Sequence, residues 1–147
     1  MGVAQGPLNR RISFIDLIPQ LAKELTTHGY PPDYDCLDAV LRWDAKALGT
    51  AARRQLMTHE STRLFERRYK ILPEPDRVRY GDVIVVCHSD RTIVHWARYI
   101  NPGVVWHKAS RFPVDPVTFE RSENLLKFYQ GAFPRDDWHL DYYTARA

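Results

Sequence analysis

The sequence predicts an α+β domain in which helices come first and an antiparallel sheet follows. Apolar residues recur with helical spacing in the first half, whereas short runs of β-branched and aromatic residues dominate after about residue 80. The two patterns do not alternate along the chain, so the parallel sheet of α/β proteins is not expected. Residues 1–147 fit one domain of common size, and residues 1–11 are expected to form a flexible basic arm.

Composition excludes several classes of protein. An apolar fraction of 44% and a charged fraction of 27% are ordinary for a globular domain, so an intrinsically disordered chain is excluded. No apolar run approaches the roughly 20 residues that cross a bilayer. Residues 1–11 lack the apolar stretch of a signal peptide, so we expect synthesis in the cytoplasm. The net charge of +3, with acidic and basic residues interleaved, favours a mixed solvated surface over a nucleic-acid-binding stripe.

Three helical segments are predicted in the first half. The first covers Ser13–Thr27, although Pro19 leaves open that the helix begins there, because proline suits a first turn. The second covers Cys36–Leu48, with Asp35 as its N-cap. Residues 50–70 are rich in charge and predict one or two surface helices.

The second half predicts a meandering antiparallel sheet. Three consecutive strands are expected at Val83–His88, Ile93–Ile100 and Val104–Ala109, joined by short turns. Residues 116–130 form a helix or a loop, and Trp138–Thr144 supplies a last strand.

The two cysteines stand in different contexts. Cys87 ends an apolar run and is predicted to be a small buried hydrophobe on a strand. Cys36 falls at the first turn of a predicted helix, where unpaired backbone N–H groups and the helix dipole stabilise a thiolate. Neither cysteine has the paired Cys or His spacing of a zinc site, so no metal and no cofactor are expected.

Two histidines on adjacent predicted strands can meet on one face of the sheet. If Asn101–Gly103 forms a three-residue hairpin loop, Ala97 pairs with His107, and His95 shares a face with Ala97. The two imidazoles are then one diagonal step apart. A two-residue loop would shift the register by one residue and put His95 and His107 on opposite faces. The contact is therefore a conditional prediction.

These residues resemble the NlpC family of cell-wall cysteine peptidases, which have a papain-like fold with a rearranged sheet. Tyr34-Asp35-Cys36 is similar to the family's Asp-Cys helix start, and Gly81-Asp82 is similar to its strand opening. His95 and His107, twelve residues apart, match the strands that carry the base and the orienting residue. The resemblance covers roughly residues 33–110.

The resemblance implies a cysteine peptidase or amidase with a Cys-His-His site. Cys36 attacks an amide carbonyl, His95 takes the thiol proton, and His107 holds the imidazole of His95 in place. A peptidoglycan stem peptide is the implied substrate. Without a signal peptide, such an enzyme would be delivered by a secretion system, a phage particle or lysis, and it could equally act on a cytoplasmic amide or thioester.

The chain departs from the family pattern in ways that affect the substrate site. Leu37-Asp38 stands where the family has Ser-Gly, and the glycine-rich lead-in with its tyrosine is missing. Tyr30 or Tyr34 is expected near the oxyanion, and the sequence does not choose between them. The carboxylates of Asp35 and Asp38 would oppose thiolate formation at the neighbouring cysteine. Trp96 is expected to form core or groove wall beside the substrate.

Two alternatives belong to other functional classes. Leu37-Asp38 encourages a catalytically inactive papain-like module for binding or assembly in a phage or secretion particle. An unusually reactive Cys36 would argue against that interpretation. A sequence pI near 8.9 permits a nucleic-acid-binding domain, which the interleaved acidic residues discourage.

Overall fold

The computed structural model describes residues 14–27, 36–43, 58–108 and 117–147. Four α-helices lie within these ranges: α1 (Gln20–Thr27), α2 (Cys36–Leu41), α3 (Thr58–Arg68) and α4 (Ser122–Ala132). Single turns of 3-10 helix occupy Phe14–Leu17 and Pro75–Arg77. The strands are β1 (Tyr69–Ile71), β2 (Val83–His88), β3 (Ile93–Asn101), β4 (Val104–Lys108), β5 (Val117–Arg121) and β6 (Trp138–Ala145).

The six strands form one antiparallel sheet in the order β1-β6-β2-β3-β4-β5. Strands β2 to β5 follow one another as a meander, and β6 returns to pair with the free edge of β2. The predicted α+β class with a meandering antiparallel sheet is therefore confirmed.

Helices cover both faces of the sheet. On the first face, Val83, Val85 and Cys87 of β2 pack in a core cluster with residues of α2 and α3. On the second face, Ile84 and Val86 pack with Leu125 of α4. Because successive strand residues point to opposite faces, a central strand with both faces covered must be apolar throughout. This requirement explains the unbroken buried run of β2.

The predicted helices are partly corrected. Helix α1 begins at Gln20, and the amide of Lys23 donates to the carbonyl of Pro19, so the start that Pro19 left open is the correct one. Helix α2 begins at Cys36 as predicted and ends at Leu41, so its predicted continuation through Arg42 and Trp43, which form a turn, is wrong; residues 44–48 lie outside the described residues. The amide of Trp43 donates to the carbonyl of Val40, three residues earlier, as in a 3-10 helix. This tighter turn follows the last residue of the helix.

Two strands were not predicted. Strand β1 continues directly from α3, and its first two residues lie in the range 50–70 that was expected to be helical. Strand β5 occupies the start of the 116–130 segment, and helix α4 follows it to Ala132. The predicted strands are confirmed with small changes at their ends: β3 extends to Asn101 and β4 is described as far as Lys108.

The hairpin between β3 and β4 has the register that brings the two histidines to one face. Asn101 lies opposite Val104, and Gly103 in the turn has a left-handed φ of 86°. An irregularity at Ile100 then shifts the pairing by one residue, so that Tyr99 faces Val105. The bulge restores the register that a three-residue loop predicts.

The Gly81-Asp82 strand opening has a structural role. Gly81 has a φ of 87° and donates its amide to the carbonyl of Tyr99 on β3. The Asp82 carboxylate accepts bonds from the amide of Arg79, at 2.9 Å, and from the hydroxyl of Thr144 on β6, at 2.8 Å. These residues therefore join the turn before β2 to both of its neighbouring strands.

Arg98 on β3 connects α2 to the sheet. Its side chain is 2% exposed, and its Nε and Nη2 atoms donate to the carbonyl of Val40 at 3.1 and 2.7 Å. Nη1 donates to the carbonyl of Gly81 at 2.6 Å, and Nη2 also reaches the hydroxyl of Tyr69 at 2.5 Å. The guanidinium lies 5.0 Å from the ring centroid of Tyr69 and 5.7 Å from that of Trp43. Arg98 thus fixes the end of α2 against β3.

Replacing Arg98 by lysine tests this connection. Arg98→Lys keeps the charge but loses the planar fork, so it cannot reach both carbonyls and the Tyr69 hydroxyl together. We expect the free energy of unfolding to fall by about 2–4 kcal/mol, as for other broken buried hydrogen-bond networks. Urea unfolding measures the change. Arg63→Lys, on an exposed position of α3, is the matched control and should change stability by less than about 0.5 kcal/mol. Equal stability of the two variants would contradict the role of Arg98.

Candidate active site

Two buried imidazoles form the centre of the site on the second face of the sheet. Nε2 of His95 on β3 lies 2.7 Å from Nδ1 of His107 on β4. The rings are nearly perpendicular, with an interplanar angle of 85° and centroids 5.0 Å apart. At this distance one ring donates an N–H hydrogen bond to the bare nitrogen of the other. The conditional prediction of a contact between these histidines is therefore confirmed.

A β-bulge precedes His95. Val86 of β2 faces His95, and the next residue, Cys87, faces Ile93, so Val94 is the extra residue of β3. The carbonyl of Val94 lies 3.5 Å from the hydroxyl of Tyr129 on α4. The bulge thus brings the chain beside His95 up against the helix that covers this face.

A cavity of about 200 Å³ opens beside the two imidazoles. Helix α4 and strand β5 supply the other side chains of its wall, which are those of Thr118, Glu120, Asn124, Leu125, Phe128 and Tyr129. The ring centroid of Tyr129 lies 6.4 Å from that of His95. The cavity combines apolar and aromatic surface with a few polar groups, which is the usual composition of a ligand site.

Burial keeps both histidines neutral. Desolvation, reinforced by the charge of His107, lowers the pKa of His95 to about 3. Desolvation also lowers the pKa of His107 to about 4, against an opposing effect of Glu120, whose negative charge raises it. At neutral pH the pair is therefore uncharged, and each ring carries one proton.

Glu120 is a site residue that sequence reasoning missed. It lies on the cavity wall, and the register places Thr118 opposite His107 with Glu120 two residues further along β5, on the same face. Oε1 accepts bonds of 2.8 Å from the side-chain amide of Asn124 and from the backbone amide of Arg121. The bond from Asn124, and to a lesser extent the bond from Arg121, stabilises the carboxylate and so lowers the pKa of Glu120. No sequence signal marked Glu120, because β5 itself was not predicted.

Cys36 is the first residue of α2, and its partly buried side chain is not part of a disulfide. Helix α2 packs on the first face of the sheet, while the imidazoles point to the second. The link between them is Tyr129, whose pKa is raised to about 12 by burial and then by the charge of Cys36. Cys36 therefore lies within electrostatic range of the ring that borders His95.

Among the residues whose side chains the structure describes, the predicted site residue Trp96 does not line the histidine cavity. Trp96 lies on the first face, in a cleft of about 710 Å³ with Phe65, Tyr69 and Tyr143, and its buried indole N–H has no hydrogen-bond partner among the described residues. The predictions for Tyr30, Tyr34, Asp35 and the side chain of Asp38 lie outside the described residues, as does the 1–11 arm.

Comparisons with protein-family models, with curated proteins and with solved structures find no match for this chain. Any assignment of function therefore depends on the site itself. Among the residues that the structure describes, no helix is long and apolar enough to cross a membrane.

The buried histidine pair predicts a loss of stability in mild acid. Below the ordinary histidine pKa of about 6.5, the unfolded chain gains protons at these positions, whereas the folded protein does not until the lowered pKa values of about 4 and about 3. The free energy of unfolding should therefore decrease as pH falls through this window, by up to about 1.4 kcal/mol per pH unit for each histidine. Urea unfolding between pH 7.5 and pH 5 measures the slope.

The double variant His95→Gln/His107→Gln removes both titrations and should flatten this slope. His88→Gln, at the end of β2 with a half-buried ring, is the matched control and should leave most of the slope unchanged. An equal slope in the parent and the double variant would contradict the neutral buried pair.

Proposed function

We propose that this protein is a cysteine hydrolase, a peptidase or amidase, with Cys36 as nucleophile, His95 as general base and His107 as positioning residue. The observation that carries the proposal is the 2.7 Å bond between Nε2 of His95 and Nδ1 of His107. Because Nε2 of His95 is engaged, its Nδ1 is the nitrogen left for proton transfer. A base whose other nitrogen is held by a third group is the usual requirement for activating a thiol.

A papain-like arrangement of the NlpC type is the fold that we propose for this site. A helix begins at Cys36 and packs against an antiparallel sheet, and adjacent strands of that sheet carry His95 and His107. The chain order Cys, His, His supports the same assignment. The Cys36 amide is the proposed oxyanion donor.

The tautomer that supports catalysis has the proton of His95 on Nε2. That proton is donated to Nδ1 of His107, which leaves Nδ1 of His95 bare and able to accept a proton. Burial disfavours the positively charged form of His95 when no negative charge lies near it. His95 therefore accepts the proton of Cys36 at the same time as negative charge develops on Sγ. The carboxylate of Glu120 favours positive charge on the adjoining ring of His107 and offsets part of this cost.

The reaction follows from these roles. Sγ of Cys36 forms a bond to the carbonyl carbon of the amide, its proton passes to His95, and the carbonyl π electrons move to oxygen. When the C–O double bond re-forms, the C–N bond breaks and His95 protonates the leaving amine. The oxygen of a water molecule then bonds to the thioester carbon while one water proton passes to His95; the C–S bond breaks, its electron pair stays on Sγ, and a carboxylic acid is released. The proton returns to sulfur and restores the thiol.

A peptide amide is the proposed substrate class, and the resemblance to the NlpC family favours a peptidoglycan stem peptide. The 200 Å³ cavity is smaller than the ~300–1,000 Å³ pockets that hold whole drug-sized ligands. It fits one side chain of an extended peptide. Delivery to the cell envelope by a secretion system, a phage particle or lysis is part of the same proposal.

A catalytically inactive binding module is the second candidate. Two observations favour it: His95 is only 4% exposed, and Leu37, at the position of the family's serine, is buried in the hydrophobic core. The side chain of Leu37 therefore has no contact to offer a substrate. In this interpretation the histidine pair is a structural bond between β3 and β4.

Alkylation of the thiols distinguishes the two candidates. We expect iodoacetamide to modify Cys36 with an apparent pKa below the ordinary value of about 8.5, and the value should rise by at least one unit in His95→Ala. Cys87 is the internal control, because it is 1% exposed and burial raises its pKa to about 12. Peptide mass spectrometry across a pH series measures both sites, with His88→Ala as the matched histidine variant. A Cys36 that titrates as an ordinary thiol would overturn the enzyme proposal.

Hydrolysis of isolated stem peptides tests the chemistry directly. Cys36→Ala and His95→Ala should each lose at least ~10³-fold in kcat/KM, as expected when the nucleophile or base is removed. Glu120→Gln keeps the shape of the cavity wall but removes the charge, so a smaller loss of ~10-fold in kcat is expected, with KM little changed. Product release followed by liquid chromatography gives these values. A Cys36→Ala variant as active as the parent would exclude the assigned nucleophile.

A further inference from the structure

A second cluster of side chains that can bind a metal lies on the first face of the sheet, away from the histidine pair. Cys87 on β2 and His139 on β6 are directly opposite in the antiparallel register. Asp141 follows two residues after His139, so both side chains of β6 point to the face of Cys87. One thiol, one imidazole and one carboxylate thus meet across a single strand pair.

Two of the three distances within this cluster match those between ligands of one tetrahedral metal ion, and the third lies within 4.8 Å. Sγ of Cys87 lies 3.5 Å from Oδ2 of Asp141, and Nε2 of His139 lies 3.4 Å from the same oxygen. All three atoms lie within 4.8 Å of one another. With Zn–S near 2.3 Å and Zn–N or Zn–O near 2.0–2.1 Å, tetrahedral angles require edges of about 3.6 Å and about 3.3 Å.

We propose that Cys87, His139 and Asp141 form a binding site for a divalent transition metal ion, and that Zn²⁺ is the ion it fits best. Thiolate, imidazole and carboxylate are all ligands that zinc takes in proteins. Three protein ligands leave the fourth tetrahedral position for water or another small molecule. This proposal does not depend on the hydrolase proposal, because none of the three residues belongs to the histidine cavity.

The burial of the three ligands suits such a site. Cys87 is 1% exposed and forms the floor, whereas the side chains of His139 and Asp141 are 44% and 26% exposed. An ion can therefore approach from solvent on the side of β6. The positive charge of Arg91 acts on Cys87 and partly offsets the rise that burial causes in the pKa of its thiol. The same charge would repel a bound metal ion, but the side chain of Arg91 is exposed, so solvent screens this repulsion.

Hydrogen bonding alone is the competing explanation of these contacts. Without a metal, the thiol can donate to Asp141 and the imidazole N–H can donate to the same carboxylate. The two explanations differ in one observable: a metal converts Cys87 to a bound thiolate, which a hydrogen-bonded thiol does not form.

Titration with Co²⁺, a spectroscopic substitute for Zn²⁺, tests the proposal in full-length Cys36→Ala protein, where Cys87 is the remaining thiol. We expect one equivalent of Co²⁺ to produce a thiolate-to-cobalt charge-transfer band and the intense d–d bands of tetrahedral cobalt, and Zn²⁺ to abolish both. His139→Gln and Asp141→Asn should each weaken binding at least tenfold. His88→Gln is the matched control, because His88 lies near carboxylates on the adjoining end of β2, and should bind as the parent does.

Two outcomes would overturn the proposal. Absence of a thiolate band at millimolar Co²⁺ would leave the cluster as hydrogen bonds only. A band of unchanged affinity in both His139→Gln and Asp141→Asn would show that these two residues are not ligands of the metal bound to Cys87, and would overturn the three-ligand site. Circular dichroism on each variant confirms the fold; because both side chains are partly exposed, neither substitution leaves a cavity in the core.

Discussion

The buried guanidinium of Arg98 is the contact on which the relation between helix and sheet depends. Strand β3 carries Arg98 on the first face and His95 on the second, three residues earlier. By binding the carbonyl of Val40, Arg98 fixes the end of α2, and Cys36 lies about one helical turn before Val40. Arg98 therefore helps to position the proposed nucleophile through the backbone of the short helix α2, from the face of the sheet opposite to His95.

The histidine pair and the Cys87–His139–Asp141 cluster lie on opposite faces of the sheet because successive side chains of β2 point to opposite faces. Val86 and Cys87 are neighbours, so Val86 points to the face that carries His95, and Cys87 points to the face that carries His139 and Asp141. Each cluster is completed by residues on an adjoining strand. Burial strengthens the bond between His95 and His107 and, through desolvation, also keeps both rings neutral. Glu120 supplies the negative charge that makes a cation at this pair less costly.

Elements with a strong local signal could be predicted, and those without one could not. The apolar run of β2 and the β-branched residues of β3 and β4 define strands by composition alone. Strand β1 has three residues, two of them exposed, and follows α3 without a break, so its pairing with β6 is what makes it a strand. Strand β5 mixes apolar and charged residues and is defined by its bonds to β4. Helix α2 has a predictable start but an end that a tertiary contact determines.

The sequence by itself determined which chemical groups are present, their order along the chain and their alternation within each strand. That information was sufficient to name Cys36, His95 and His107. Tertiary structure decided which groups meet. The bulge at Ile100 selected the register of the histidines, β5 brought Glu120 to them, and the return of β6 to β2 placed His139 and Asp141 beside Cys87. The physical reason is distance along the chain. Secondary-structure propensity and hydrophobic periodicity depend on a few neighbouring residues, whereas these contacts join distant segments whose pairing depends on packing of the whole sheet.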